Sequence, residues 1–155
     1  MRLPPLADLQ DAAGARVLAR QDPNVPIKNG RVADDTRITA ALPTLRWLLD
    51  RGGVIAACSH LGKAKGKPDP EFSLAPVAPI LAAALDHEVT FVADCLDPSI
   101  QDAEPRSLLL LENLRFYSGE KANDPEFASM LAAGFTHYVS DAFGTAHRAH
   151  ASVVA

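Results

Sequence analysis

Five short apolar runs, spread along the whole chain, constrain its fold more than any other feature. They are Arg16 to Gln21 (RVLARQ), Gly53 to Ser59 (GVIAACS), Glu88 to Ala93 (EVTFVA), Ser107 to Glu112 (SLLLLE) and Thr136 to Asp141 (THYVSD). Each has the length of a strand. Several are continuously apolar rather than alternating, the pattern of strands covered on both faces. Helical patterns separate them. Ile38, Ala41, Leu42, Leu45, Leu48 and Leu49 repeat at helix spacing over Arg37 to Arg51, opened by Asp34-Asp35-Thr36 and closed by Gly52-Gly53. Ser73 reads as the N-cap of a helix over Leu74 to Leu85, with Pro76 in its first turn and Pro79 disfavouring its early part. A short helix is expected over Pro98 to Ala103. Another runs from Pro125 to Ala133, with Asp124 as N-cap and proline at the first helical position. Alternating strands and helices predict an α/β domain: a Rossmann-like, three-layer parallel sheet with helices on both faces.

A length of 155 residues fits one domain with a real core. The net charge of −4 argues against a general nucleic-acid binder, which would carry a basic excess. No apolar run reaches the roughly 18 residues of a membrane span. The opening MRLPPLADLQ has acid and proline where a signal peptide needs an unbroken apolar stretch. Cys58 and Cys95 lack metal-type spacing and read as buried, reduced thiols. A cytoplasmic protein with no membrane or nucleic-acid partner is expected.

In an open parallel sheet, ligands bind beyond the carboxyl ends of the strands. The first strand is followed by Asp22 and Asn24, and the second by His60, Gly62 and Lys63. The fourth is followed by Asn113 and Arg115, and the fifth by DAFGTAHRAH with His147, Arg148 and His150. The exit of the third, Asp94-Cys95, looks silent. Four exits thus deliver polar or cationic groups to one edge, suited to a small phosphorylated acid. Asp22 and Asn24 add a carboxylate and an amide able to read a hydroxyl. Taken singly, the arginines read as solvated strand ends and the Lys63 to Lys67 run as an exposed loop. Only convergence favours a site. Gly62 to Lys67 is not a P-loop: its glycines enclose three residues rather than four, and Pro68 follows Lys67. No GxGxxG follows a strand, and no metal site is indicated.

Six segments carry a resemblance: DPNVP at 22–26, DDTRI at 34–38, SHLGKAKGKPDPEFSLAPVA at 59–78, LLLENLRFY at 109–117, NDPEFA at 123–128 and SDAFGTAHRAHAS at 140–152. In order and spacing they resemble the amino-terminal lobe of phosphoglycerate kinase, a two-lobed enzyme that transfers a phosphoryl group between 1,3-bisphosphoglycerate and ADP. The resemblance runs from about Val17 to Ser152. It implies that residues 1–155 form the phosphoglycerate-binding domain, incomplete at its carboxyl end. It implies binding of 3-phosphoglycerate or 1,3-bisphosphoglycerate by Asp22, Asn24, Arg37, His60, Leu61, Gly62, Lys63, Arg115 and Arg148. Arg37 would be the catalytic group, stabilising charge on the phosphoryl group in flight. Mg-ATP and Mg-ADP belong to the family's other lobe, and none is expected to bind this chain alone. His147 and His150 are expected to be structural hydrogen-bonders that fix their loop. The complete protein is expected to be monomeric.

The sequence also departs from the family. Gln21 places an amide where an apolar residue is usual, which predicts an unsatisfied polar group in the core. Pro23 replaces an aromatic residue and removes a backbone donor. Lys63 stands for the usual arginine and loses its bidentate fork. Ala64 replaces proline, and Ser140 replaces asparagine. Family members are more than twice as long, so the chain is expected to be a truncated lobe without turnover of its own. A stand-alone phosphate-binding module and an inactive fragment are the alternatives.

Overall fold

All five apolar runs become strands of one sheet. The structure, a computed structural model, describes residues 5–9 and 13–155. Its elements are β1 (Arg16–Arg20), β2 (Ile27–Lys28), β3 (Arg31–Val32), α1 (Thr36–Asp50), β4 (Val54–Cys58), α2 (Ala78–Leu85), β5 (Val89–Val92), β6 (Leu108–Leu111), α3 (Ser118–Ala122), α4 (Pro125–Ala132) and β7 (His137–Ser140). The sheet order is β5-β6-β4-β1-β7, and every pairing within it is parallel.

Side-chain alternation along each strand divides the core in two. Val17, Ala19, Ile55, Ala57, Leu108 and Leu110 face one layer with Ile38, Leu45 and Leu48 of α1 and Leu81 and Leu85 of α2. Leu18, Ala56, Leu109 and Leu111 face the other, with Ile100 and with Phe127 and Leu131 of α4. Helices therefore cover both faces, as expected. β4 and β6 are buried at every residue, whereas β5 and β7, at the two edges, are only partly covered. Full coverage is what made the inner runs continuously apolar.

Local chemistry sets the helix ends. Asp124 caps α4 by accepting the N–H of Glu126 at 2.9 Å, and Pro125 takes the first helical position. α1 starts one residue earlier than expected. Asp34, rather than Asp35, holds its entry, accepting from Thr36 N at 2.9 Å and Thr36 Oγ1 at 2.6 Å. The expected helix over Leu74 to Leu85 is α-helical only from Ala78, after a 3-10 turn at Ala75–Val77. Pro79 has no N–H to offer the carbonyl four residues back, so the α ladder cannot extend through it. Ser73 is not the N-cap expected, since Leu74 holds that place for the 3-10 turn and Val77 for α2; its Oγ accepts from Ala75 N at 3.2 Å just ahead of them. The Pro98 helix is a 3-10 segment, Pro98–Asp102. The β2–β3 hairpin and α3 are additions that sequence reading did not supply. Asn29 and Gly30, at φ 51° and 71°, make the hairpin's two-residue turn.

Candidate functional site

The carboxyl ends of β1, β4, β6 and β7 are tied together by side chains rather than left as separate loops. Asn24, beyond β1, accepts the N–H of Gly62, beyond β4, at 3.2 Å. Arg115, beyond β6, donates from NH1 to the Gly62 carbonyl at 2.5 Å. Gly62 has φ 60°, and a Cβ there would lie 2.4 Å from the Phe72 ring, so glycine is required at this junction. Asn113 Nδ2 donates to Leu61 O at 2.8 Å and Phe72 O at 2.9 Å, and its Oδ1 caps the turn that carries Arg115. Asn113 is thus the scaffold beneath Leu61, Gly62 and Arg115.

Asp22 and Arg37 form a second part of the rim. Arg37, in the first turn of α1, donates from NH1 to Asp22 Oδ2 at 3.1 Å. They line a cleft of about 320 Å³ with Gln21, Ala40, Ala41, Asp141, Phe143 and Gly144. A Cβ on Gly144 would stand 2.5 Å from Asp22 Oδ2, so the decapeptide after β7 approaches the carboxylate closely at that residue. Gln21 is 2% exposed, and neither atom of its amide has a partner among the described residues. The orphan amide expected from its departure at this position is present.

The cations of the rim are crowded. His60 is 4% exposed, and burial first, then the charges of Arg115, Arg20, His150 and Arg148, push its imidazole down to about 3. The ring is therefore neutral at physiological pH. Burial, then the charge of Arg148 followed by that of Arg20, also lowers Arg115 from its usual range. Arg115 and Arg148 therefore stand within electrostatic reach of each other. Among the described residues neither has a carboxylate within 4.0 Å. Arg115 Nε, though buried, has no partner either. Lys63 is exposed and lines a different cleft, with Lys65, Lys67, Asp69, Glu71 and Phe72.

The two histidines after β7 separate. His150 is buried, with Nδ1 3.9 Å from Glu120 Oε1, and its carbonyl accepts the N–H groups of Val153 and Val154 at 2.9 Å each. The loop is held there by the His150 backbone carbonyl; the imidazole Nδ1 makes no hydrogen bond among the described residues, so the side chain is not the hydrogen-bonder expected. His147 is exposed and makes no side-chain hydrogen bond among the described residues, so it does not fix the loop as expected. Asp94, beyond β5, is not silent: the Tyr117 hydroxyl donates to its carboxylate.

Sequence reading missed Arg20, Ser152 and Glu120. Arg20 and Glu120 are both fully buried, and Ser152 joins them. The one available signal was an arginine ending an apolar run, a position where a charge must find partners.

The profile of a family described as Phosphoglycerate kinase matches residues 6–155. The phosphoglycerate kinase of Akkermansia muciniphila is 52% identical over 146 residues, covering 92% of this chain and 36% of that protein. That of Desulforudis audaxviator is 54% identical over 147 residues, covering 92% and 37%. Among solved structures, phosphoglycerate kinase from Coxiella burnetii superposes with a TM-score of 0.86 at 41% identity, over 95% of this chain and 37% of that one. The enzyme from Pyrococcus horikoshii gives 0.84 at 29% identity, over 96% and 39%. The chain spans little more than a third of the length of these relatives.

Proposed function

This chain belongs to the phosphoglycerate kinase family, and from that premise we propose that its rim binds 3-phosphoglycerate or 1,3-bisphosphoglycerate. In this reading the chain is the acid-binding domain of a glycolytic, cytoplasmic phosphotransferase that moves a phosphoryl group between 1,3-bisphosphoglycerate and ADP.

One observation carries the reading: a surplus of guanidinium groups on the rim. Arg115 and Arg148 have no carboxylate within ion-pair distance among the described residues, and Arg20 stands behind them. The one carboxylate that perturbs Arg115, Glu120, is itself occupied by the N–H and hydroxyl of Ser152. An incoming phosphate dianion relieves this crowding, with charge-assisted hydrogen bonds of about 1.5–3 kcal/mol each. Arg115 and Arg148 hold the phosphate that stays. His60 and the backbone of Leu61 and Gly62 lie beside it, and Lys63 adds charge from the outer edge. Asn24 keeps its Nδ2 available for the acid, since its Oδ1 holds Gly62. Asp22 accepts the glycerate hydroxyl and orients Arg37, 3.1 Å away, toward the reacting carboxyl end. There Arg37 offsets charge on the phosphoryl group in transfer, a reaction that depends on positioning and charge neutralisation.

The family uses Mg-nucleotide. No group of three His, Cys, Asp or Glu side chains able to hold a metal stands among the described residues. These residues do not fit that part of the chemistry, and no step is assigned to them through it. The chain alone is accordingly expected to bind the acid without turnover.

Isothermal calorimetry with 3-phosphoglycerate tests this. Saturable heat is expected, weakened by salt and competed by inorganic phosphate. Absence of both heat and phosphate competition would overturn the reading. ATP-dependent turnover by the pure chain would overturn its restriction to binding.

A further inference from the structure

The contact between Arg20 and His60 fixes the state of the imidazole. A guanidinium has N–H donors and no acceptor. Arg20 NH2 lies 2.9 Å from His60 Nδ1, so Nδ1 must accept and the ring proton must sit on Nε2. Arg20 has little freedom to do otherwise. It is fully buried, and its Nε donates to Ser152 Oγ at 3.0 Å. Its NH1 donates to the Gln21 carbonyl and to Ser59 Oγ, the latter at 3.4 Å. Ser152 is held in turn, with Oγ donating to Glu120 Oε1 at 2.6 Å and N–H to Oε2 at 2.9 Å. A continuous series of hydrogen bonds thus runs from α3 to the imidazole. Among the described residues Nε2 of His60 makes no hydrogen bond, so the one N–H of the ring is unspent.

We propose that Arg20 is a positioning residue: it locks His60 as the neutral Nε2–H tautomer, so that His60 presents one uncharged donor to an oxygen of the bound acid. This deepens the phosphoglycerate reading and rests on it. Arg20 from β1 touches the ring, and the charges of Arg115 from beyond β6 and of Arg148 and His150 from beyond β7 also act on it. All are cations or become cations on protonation. A proton added at Nδ1 would point at a guanidinium and add charge to this crowd. The lock therefore separates two tasks: the arginines supply charge, and His60 supplies direction.

Long-range proton–nitrogen correlation spectra of the full ¹⁵N-labelled chain test the lock, with the His60 signals assigned through His60→Gln. Expected is a protonated Nε2 and an unprotonated Nδ1, unchanged from pH 7 to pH 5. Addition of 3-phosphoglycerate should shift the Nε2–H signal and leave the tautomer alone. Arg20→Lys keeps the charge and removes the fork. It should give mixed tautomers and affinity about tenfold weaker, the size of one lost charge-assisted hydrogen bond. A wild-type ring protonated on Nδ1, or one that gains its second proton between pH 7 and 5, overturns the lock whatever the variant does. Heat of binding with an unmoved Nε2–H signal overturns the donor role alone. Absence of heat with the Nε2–H tautomer in place overturns the phosphoglycerate reading and leaves the lock standing.

Discussion

Gln21→Leu should make the protein more stable. Gln21 follows Ala19 on the side of β1 that faces α1, and its neighbours in the cleft include Ala40 and Ala41. Only 2% of the residue is exposed, and both Nε2 and Oε1 lack partners among the described residues. A buried donor or acceptor left unmade costs about 1–3 kcal/mol. Leucine is close to glutamine in volume, so the exchange leaves no large cavity and adds apolar contact. The expected gain is about 1–3 kcal/mol from removing the orphan amide. For a domain of this size each kcal/mol raises Tm by about 2–4 °C. Urea unfolding should show a higher midpoint with an unchanged slope, since the surface exposed on unfolding barely changes. Gln21→Glu is the companion: the amide oxygen it replaces accepts no hydrogen bond among the described residues, so a buried carboxylate there should lower the midpoint. If Gln21→Leu leaves stability unchanged or lowers it, solvent in the cleft satisfies the amide and the orphan argument is wrong.

Further outcomes concern the rim. Arg148→Ala should weaken 3-phosphoglycerate binding by about 10–100-fold, one charge-assisted contact, while leaving Tm unchanged because the side chain is exposed; calorimetry and a thermal melt read the two effects separately. Gly144→Ala should displace Asp22, since the new Cβ would lie 2.5 Å from Oδ2, and the loss of its pairing with Arg37 should appear as weaker binding of the acid with the fold retained by circular dichroism. Stability should also fall on acidification. The folded His60 is held near 3 against an ordinary 6.5, so between those values the unfolded chain binds the extra proton. His60's contribution is complete above about pH 6.5 and lost as pH falls toward 3, with a ceiling of a few kcal/mol, roughly 1.4 per unit. Urea midpoints at pH 7 and pH 5 measure the slope, and His60→Gln should remove His60's share of it.

The parts of the fold that could be read from the sequence are those where one physical rule acts alone. β4 and β6 are covered on both faces and therefore spell their positions in unbroken apolar residues. Asp124-Pro125 marks a helix start because a carboxylate acceptor and a missing N–H both suit that place and no other. Where two rules compete, the reading slips. Ser73 signals a cap, but Pro79 forbids the α ladder behind it, so the true α-helix starts at Ala78. The β2–β3 hairpin pairs two residues with two, too few for any periodicity, and only Asn29-Gly30 announces it. The site divides in the same way. Strand exits could be ranked because the ends of parallel strands meet in space. Arg20, Ser152 and Glu120 could not be joined, because 132 and 32 positions separate the pairs that bond and only Arg20, ending an apolar run, asks for partners.

An acidic protein with a cationic rim also has to keep its own carboxylates from filling the pocket. Here three acids close to the rim, Glu112, Glu120 and Asp22, are already engaged. Glu112 accepts from Asn113 N and Leu74 N at 2.8 Å each and from Ser73 Oγ at 2.7 Å, so it braces the loops beneath the rim. Glu120 is taken by both donors of Ser152 and lies fully buried. Asp22 is directed at Arg37. Backbone and hydroxyl donors thus hold Glu112 and Glu120, Arg37 holds Asp22, and Arg115 and Arg148 are left without a carboxylate partner among the described residues. The net charge of −4 therefore says little about this edge of the sheet. It follows that removing a brace should harm binding as surely as removing a cation. Glu112→Leu keeps the bulk and removes both acceptor oxygens, leaving all three donors unserved. It should loosen the loops that carry Gly62 and Arg115 and weaken 3-phosphoglycerate binding, although Glu112 never touches the acid. Affinity equal to wild type in that variant would show that the loops hold their shape without it.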